Sequence, residues 1–116
     1  MTTYNAAMRG VPADIFPAGT SATGPGTAFA VPPSFFKHKI AIICSAGVAS
    51  GAVQPESAQD PSYSGTWNPI GGGPITVPAA SSTLEYQFTG YFSAIRANIT
   101  TIIGGGTIQV TYEGAP

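Results

Sequence analysis

The sequence predicts an all-β fold: a β-sandwich or jelly-roll-like domain with an extended N-terminal arm. Two observations support this. Short segments alternate between apolar and polar residues, which is the period of a half-buried strand. Turn residues separate these segments, in a chain of 116 residues that contains 15 Gly and 11 Pro. About seven short strands with such punctuation are typical of a sandwich, and no segment has to form a long helix.

Residues 1–34 are predicted to form the arm. The stretch "VPADIFPAGTSATGPGTAFAVPPS" is rich in Pro, Gly, Ala and Thr and sustains neither a helical nor a strand period. Its apolar side chains still need cover from water, either from the chain's own domain or from a neighbouring subunit. We interpret four of them as subunit-interface residues: Ile15, Phe16, Phe29 and Val31. The segment "TAFAV" is compatible with one edge strand.

Residues 35–116 are predicted to form the sandwich. In "FFKHKIAIICSA" one strand face carries, in alternation, Phe36, His38, Ile40, Ile42 and Cys44. We expect His38 to be exposed at the start of this strand and Cys44 to be a buried small hydrophobe. Further short strands are predicted in "SAGVASGAVQ", "TWNPI" and "ITV", and a loop is predicted in "PESAQDPSYSG".

The C-terminal third has the clearest strand pattern. "TLEYQFTG" and "YFSAIRANITTII" alternate, and the last strand places Ile108, Val110 and Tyr112 inward. "GGG" is predicted to close a hairpin between the last two strands. Arg96 lies on the polar face of a central strand. It is expected either to pair with a carboxylate such as Glu85 or Glu113 or to act as a subunit-interface anchor, and both roles are compatible.

Charged residues make up only 8 % of the chain, against roughly a quarter in typical soluble domains. A sheet surface of Thr, Ser, Gln and Asn is one explanation. We favour the other, that much of the surface is buried against other chains. The net charge of −1 and the scattered basic residues argue against nucleic acid and anionic membrane as partners. No apolar stretch has the length of a membrane span, and "MTTYNAAMRG" lacks the apolar core of a signal peptide, so synthesis without Sec export is expected.

No constellation in the sequence predicts catalysis, so we expect no enzyme activity, no cofactor and no metal. The lone His38 has no companion ligand for zinc, and Glu56 and Asp60 do not have the spacing of a calcium loop. Trp67 with Tyr63 has the composition of a sugar-stacking platform. A Trp on a short sandwich strand is more often a packing residue, and we favour packing.

One resemblance adds to this interpretation. The run "SGTWNPIGGGPITV … GYFSAIRANITTIIGGGTIQVTYEG", preceded by "GAVQPES", resembles small β-sandwich structural proteins of tailed bacteriophages, of the capsid decoration (cement) type. It covers about Ser45 to Pro116 and leaves the N-terminal third unexplained.

The resemblance implies a virion structural protein on the capsid surface, made in the host cytoplasm. It would bind and stabilise adjacent major capsid subunits, and local threefold positions would favour a homotrimer. The alternatives are a tail, neck or fibre component on the same sandwich and, from another class, a carbohydrate-binding module that uses Trp67 and Tyr63.

Overall fold

The computed structural model describes residues 2–3 and 12–116. These residues form two β-sheets packed face to face, which confirms the all-β sandwich. Eleven strands follow one another along the described chain: β1 (Thr2–Thr3), β2 (Ala13–Thr20), β3 (Gly24–Pro25), β4 (Phe29–Ala30), β5 (Lys37–Cys44), β6 (Ser50–Ala58), β7 (Asn68–Pro69), β8 (Ile75–Thr76), β9 (Thr83–Thr89), β10 (Ala94–Gly104) and β11 (Ile108–Ala115).

Sheet B contains four antiparallel strands in the order β2-β11-β5-β9. The predicted alternation sets which side chains face inward. From β11 these are Ile108, Val110 and Tyr112, all buried, as the sequence predicts. From β5 the inward residues include Ile40 and Ile42, which have no exposed surface. One face of sheet B therefore supplies half of the core, and the other face meets solvent.

Sheet A is built around two long strands, β10 and β6, which pair antiparallel. The short strands β3 and β4 pair with β10, whereas β7 and β8 pair with β6. β10 is thus central, as predicted, and it contributes Ile95, Ala97 and Ile99 to the core. β6 continues to Ala58, so it takes up the start of a segment for which the sequence predicts a loop.

The predicted hairpin between the last two strands is wrong. β10 pairs with β6 in sheet A, while β11 lies between β2 and β5 in sheet B. The turn at residues 104–106 therefore carries the chain from one sheet to the other. It packs against the turn after β5, and a side chain on Gly105 (φ 85°) would collide with the carbonyl oxygen of Gly47. Glycine lets the backbones approach this closely, but it does not determine which sheet receives the next strand.

Residues 12–34 belong to the sandwich, which corrects the expectation of an arm separate from it. Four apolar residues of this segment are buried in the chain's own core: Ile15, Phe16, Phe29 and Val31. β2 pairs with β11, and β3 and β4 pair with β10, so the segment contributes to both sheets. The cover that these side chains need comes from their own domain. Of the remaining arm residues, 1 and 4–11 lie outside the described residues.

Deleting residues 1–34 is expected to unfold the protein. Burial of the four apolar side chains contributes about 1.5–3 kcal/mol each, a total comparable with the whole stability of a typical domain. Far-UV circular dichroism with urea denaturation measures the outcome. A matched pair of point variants gives a graded check: Phe29→Ala should lower the free energy of unfolding by about 3–5 kcal/mol, whereas Ala18→Ser, at an exposed position, should change it little. Cooperative unfolding of the truncated chain would contradict this assignment.

Candidate functional site

Arg96, predicted as an interface anchor, lies on the outer face of sheet A in contact with two side chains of its own chain. Its Nε donates a hydrogen bond of 2.8 Å to Oε1 of Glu56, the residue directly opposite on β6. Its guanidinium group also stacks on the ring of Trp67, with Cζ 4.2 Å from the ring centroid. Both charged side chains are mostly buried. The three side chains form a compact cluster that is stabilised by the Arg96–Glu56 ion pair and by the stacking of Arg96 on Trp67.

The partner of Arg96 is a carboxylate, as expected, but it is neither Glu85 nor Glu113. Both of those lie on sheet B, where they flank Lys39 on the central strand β5. The Lys39 ammonium lies 3.2 Å from Glu85 and 3.3 Å from Glu113. Hydrogen bonds to Glu85 and then Glu113 raise the pKa of Lys39. This triad links three neighbouring strands across the outer face of sheet B.

Trp67 is a packing residue, which agrees with the preferred interpretation of the sequence. Only 4 % of its surface is exposed, and its Nε1 donates a hydrogen bond of 2.9 Å to the backbone oxygen of Tyr63. The Arg96 guanidinium covers its ring. A sugar-stacking platform needs an open aromatic face, so the pair Trp67 and Tyr63 does not form one in this structure.

His38 is buried, which corrects the expectation that it is exposed. Its side chain points into the sandwich, where it lies among the rings of Phe88, Phe92 and Tyr112. Nε2 donates a hydrogen bond of 2.7 Å to the carbonyl oxygen of Gly90, because a carbonyl can only accept. Nδ1 therefore accepts from the Tyr112 hydroxyl at 2.7 Å. This is the neutral tautomer, and burial lowers the pKa of His38.

The alternating pattern of β5 already placed His38 on the same face as Ile40. The expectation of exposure gave more weight to residue type than to this periodicity. Cys44, on the same face, is buried as predicted, and burial raises the pKa of its thiol. For His38 and Cys44, a position on the inner face of the strand therefore predicts burial better than the polarity of the side chain does.

Exposed apolar side chains lie at both ends of the sandwich. Tyr91 is 72 % exposed just before β10, and its ring packs on that of the partly exposed Phe36, with centroids 5.1 Å apart. Near the other end of β10, Ile102 is 60 % exposed. An open groove of about 870 Å³ lies beside the first end, along the outer face of sheet B, with Lys37 and Gln87 in its lining. Tyr91 and Phe36 thus form a small exposed apolar patch, whereas Ile102 is a single exposed apolar side chain.

Of the five residues predicted at a subunit interface, the structure brings none to a common surface. Four are in the core: Ile15, Phe16, Phe29 and Val31. Arg96 is separate from them, on the outer face of sheet A. The exposed residues Tyr91 and Ile102 were not predicted as contact residues. Each stands directly before another apolar residue, Phe92 or Ile103, so alternation alone does not indicate which of the two is exposed.

Comparisons of the chain with protein-family models, with curated proteins and with solved structures found no match. Within residues 2–3 and 12–116, no helix has the length and hydropathy needed to cross a membrane. In the same part of the chain, no three His, Cys, Asp or Glu side chains come together as a group able to hold a metal ion.

Stability should fall as the pH is lowered from 7 to 5, because of His38. Its pKa is lowered in the folded state, so the unfolded chain, in which the pKa is near 6.5, binds the proton first. The contribution of the neutral ring is therefore complete above pH 6.5 and is lost as the pH falls below that value. Urea denaturation at stepped pH measures it. Since the chain has one His, His38→Phe should remove most of the pH dependence in this window; an unchanged slope would contradict the assignment.

Arg96→Ala should lower the free energy of unfolding by about 1.5–3 kcal/mol, since hydrogen bonds to charged groups contribute about that much and Glu56 would lose its partner. Arg96→Lys keeps the charge but not the planar stacking on Trp67, so it should recover only part of the loss. Chemical denaturation of both variants, with Glu56→Gln to complete a double-mutant cycle, gives the coupling energy. Additivity of Arg96→Ala and Glu56→Gln would show that the pair contributes nothing.

Proposed function

We propose that this chain is a virion structural protein that decorates a bacteriophage capsid and stabilises adjacent major capsid subunits. The partner is the major capsid protein, and the place of action is the capsid surface after synthesis in the host cytoplasm. The role is structural rather than enzymatic. The resemblance over Ser45–Pro116 suggests this class of protein, and the surface of the sandwich supports it.

The observation that carries the proposal is the character of the exposed surface. Five of the eight charged side chains within residues 12–116 contact one another, in the Lys39 triad on one sheet and the Arg96–Glu56 pair on the other. Apolar side chains, in contrast, are exposed at both ends of the sandwich, at Tyr91 and Ile102. Protein interfaces are depleted in charge at their centre and enriched in aromatic residues. A molecule with an apolar contact at each end is suited to bridge two neighbouring subunits.

The stoichiometry that we propose on the particle is a trimer. A contact that joins two different surfaces of identical subunits forms a closed ring when the rotation allows it, and a capsid offers local threefold positions. The carbohydrate-binding alternative loses support, because Trp67 is buried under Arg96.

The test is the copy number per particle. Quantitative mass spectrometry of purified virions, with labelled peptides of this chain and of the major capsid protein, should give comparable numbers of the two. A tail, neck or fibre component would be present in far fewer copies, and absence from virions would overturn the proposal altogether.

Attachment should depend on the exposed aromatic end. Tyr91→Asp places a charge where the proposal expects apolar contact, so binding to particles lacking this protein should weaken at least tenfold, equivalent to about 1.4 kcal/mol. Ser64→Asp makes a comparable charge change at another exposed site and should leave binding unchanged. Equal binding by the two variants would exclude Tyr91 from the contact.

A further inference from the structure

Among the described residues, strand β9 forms one edge of sheet B, where β5 is its single partner strand. Its seven residues pair with β5 without a bulge, and it contains neither Pro nor Lys. The opposite edge strand, β2, is different: it contains Pro17, and its register with β11 shifts twice. Proline and bulges are two of the devices with which proteins protect sheet edges from pairing with other chains. β2 has both devices, and β9 has neither.

The backbone groups on the open side of β9 follow from its pairing with β5. Gly90 N donates to Phe36 O, and Cys44 N donates to Ser82 O, so these two antiparallel pairs are hydrogen-bonded pairs. Such pairs alternate along a ladder, and the even-numbered residues of β9 therefore bond to β5. The odd-numbered residues direct their N–H and C=O groups away from the sheet. All four of these residues are exposed: Thr83, Glu85, Gln87 and Thr89.

We propose that two copies of this chain pair antiparallel through their β9 strands, with Tyr86 on the twofold axis. In this register Glu85 lies opposite Gln87 of the second copy, and Thr83 lies opposite Thr89. The outward-directed residues thus face one another in four hydrogen-bonded pairs, two of each kind, and each pair exchanges two backbone bonds. The two four-stranded sheets become one sheet of eight strands.

The single charged residue of β9 favours this register. Glu85 is the one charged residue of the strand, and opposite Gln87 its carboxylate meets a side-chain amide that can donate to it. A shift by two residues in one direction sets Glu85 against Glu85, which is unfavourable. A shift by two in the other direction takes Leu84 opposite Gly90 and shortens the paired length. A shift by one residue sets outward-directed groups against groups already bonded to β5.

The same pairing also buries apolar side chains on the inner face of β9. Its apolar side chains Leu84, Tyr86 and Phe88 pack against the core but are only half-buried, since no strand of the described part of the chain lies beyond this edge. In the proposed dimer Leu84 lies beside Phe88 of the second copy, and the two Tyr86 side chains are neighbours. These are non-hydrogen-bonded pairs, in which side chains approach most closely. The apolar layer of one sandwich then continues into the next.

This contact does not rest on the proposed role on the capsid. It is isologous, so two copies close it, whereas a threefold ring joins two different surfaces of each subunit. A trimer on a particle would therefore use surfaces other than β9.

Sedimentation velocity of the full chain over a range of concentrations tests the pairing. We expect a monomer–dimer equilibrium. Gln87→Glu sets two carboxylates opposite each other at both equivalent pairs, so it should weaken the dimer tenfold or more. Gln87→Lys, at the same exposed position, sets an ammonium group opposite Glu85 and should keep or strengthen it. A protein that is monomeric at every concentration, or an association that Gln87→Glu leaves unchanged, would overturn the proposal.

Cysteine cross-linking tests the register, in a Cys44→Ala background that removes the native thiol. Residues directly opposite lie within disulfide reach, whereas diagonal neighbours are about 7–8 Å apart and are poorly placed for one. A mixture of Glu85→Cys and Gln87→Cys proteins should therefore form disulfide-linked heterodimers, and each protein alone should cross-link far less. Efficient cross-linking of either protein with itself, or no cross-linking in the mixture, would show that the proposed pairing is wrong.

Discussion

The burial of Tyr112 is the constraint on which the rest of this sandwich depends. Its side chain has no exposed surface and lies on the central strand β11 of sheet B. It stacks on Phe29 of sheet A, with ring centroids 6.3 Å apart, and its hydroxyl donates to His38. His38 in turn holds the backbone of Gly90, where the chain leaves sheet B for sheet A. A large ring with a polar tip can be buried here because its hydroxyl has a hydrogen-bond partner in the inward-facing His38.

Strand periodicity predicted the parts of this structure that depend on local sequence. The inward faces of β9, β10 and β11 follow directly from alternation, and Cys44 and Trp67 pack as their surroundings suggest. Strand order does not follow from alternation, because a strand alternates in the same way whichever neighbour it pairs with. For that reason the sequence did not reveal that β10 and β11 separate into different sheets, or that Arg96 meets Glu56. The core position of Ile15 was missed because prolines obscured the eight-residue strand β2, whereas the edge strand considered in "TAFAV" contains Phe29 of β4.

The pairing of charged side chains determines which groups the surface of the sandwich exposes. Lys39 lies between two carboxylates, and Glu56 holds Arg96 over the ring of Trp67, so these charged groups interact within the chain. What the sandwich presents outward is mainly hydroxyl, amide and apolar groups, together with the backbone of one regular strand edge. Such groups gain more from a fitted partner surface than charged groups do, because they lose less hydration when they are covered.

The position of β11 also bears on how the chain is made. It follows the other described strands of sheet B along the chain, yet it lies in the middle of that sheet, between the early strand β2 and β5. Until it emerges from the ribosome, β2 has no neighbour in its own sheet and the inner faces of β5 and β9 lack Tyr112. Sheet B therefore cannot close before β11 has been synthesised, and its closure depends on contacts between strands far apart in the sequence, which form slowly. During that interval the unpaired strand edges of a nascent chain are accessible to other nascent chains on the same polysome.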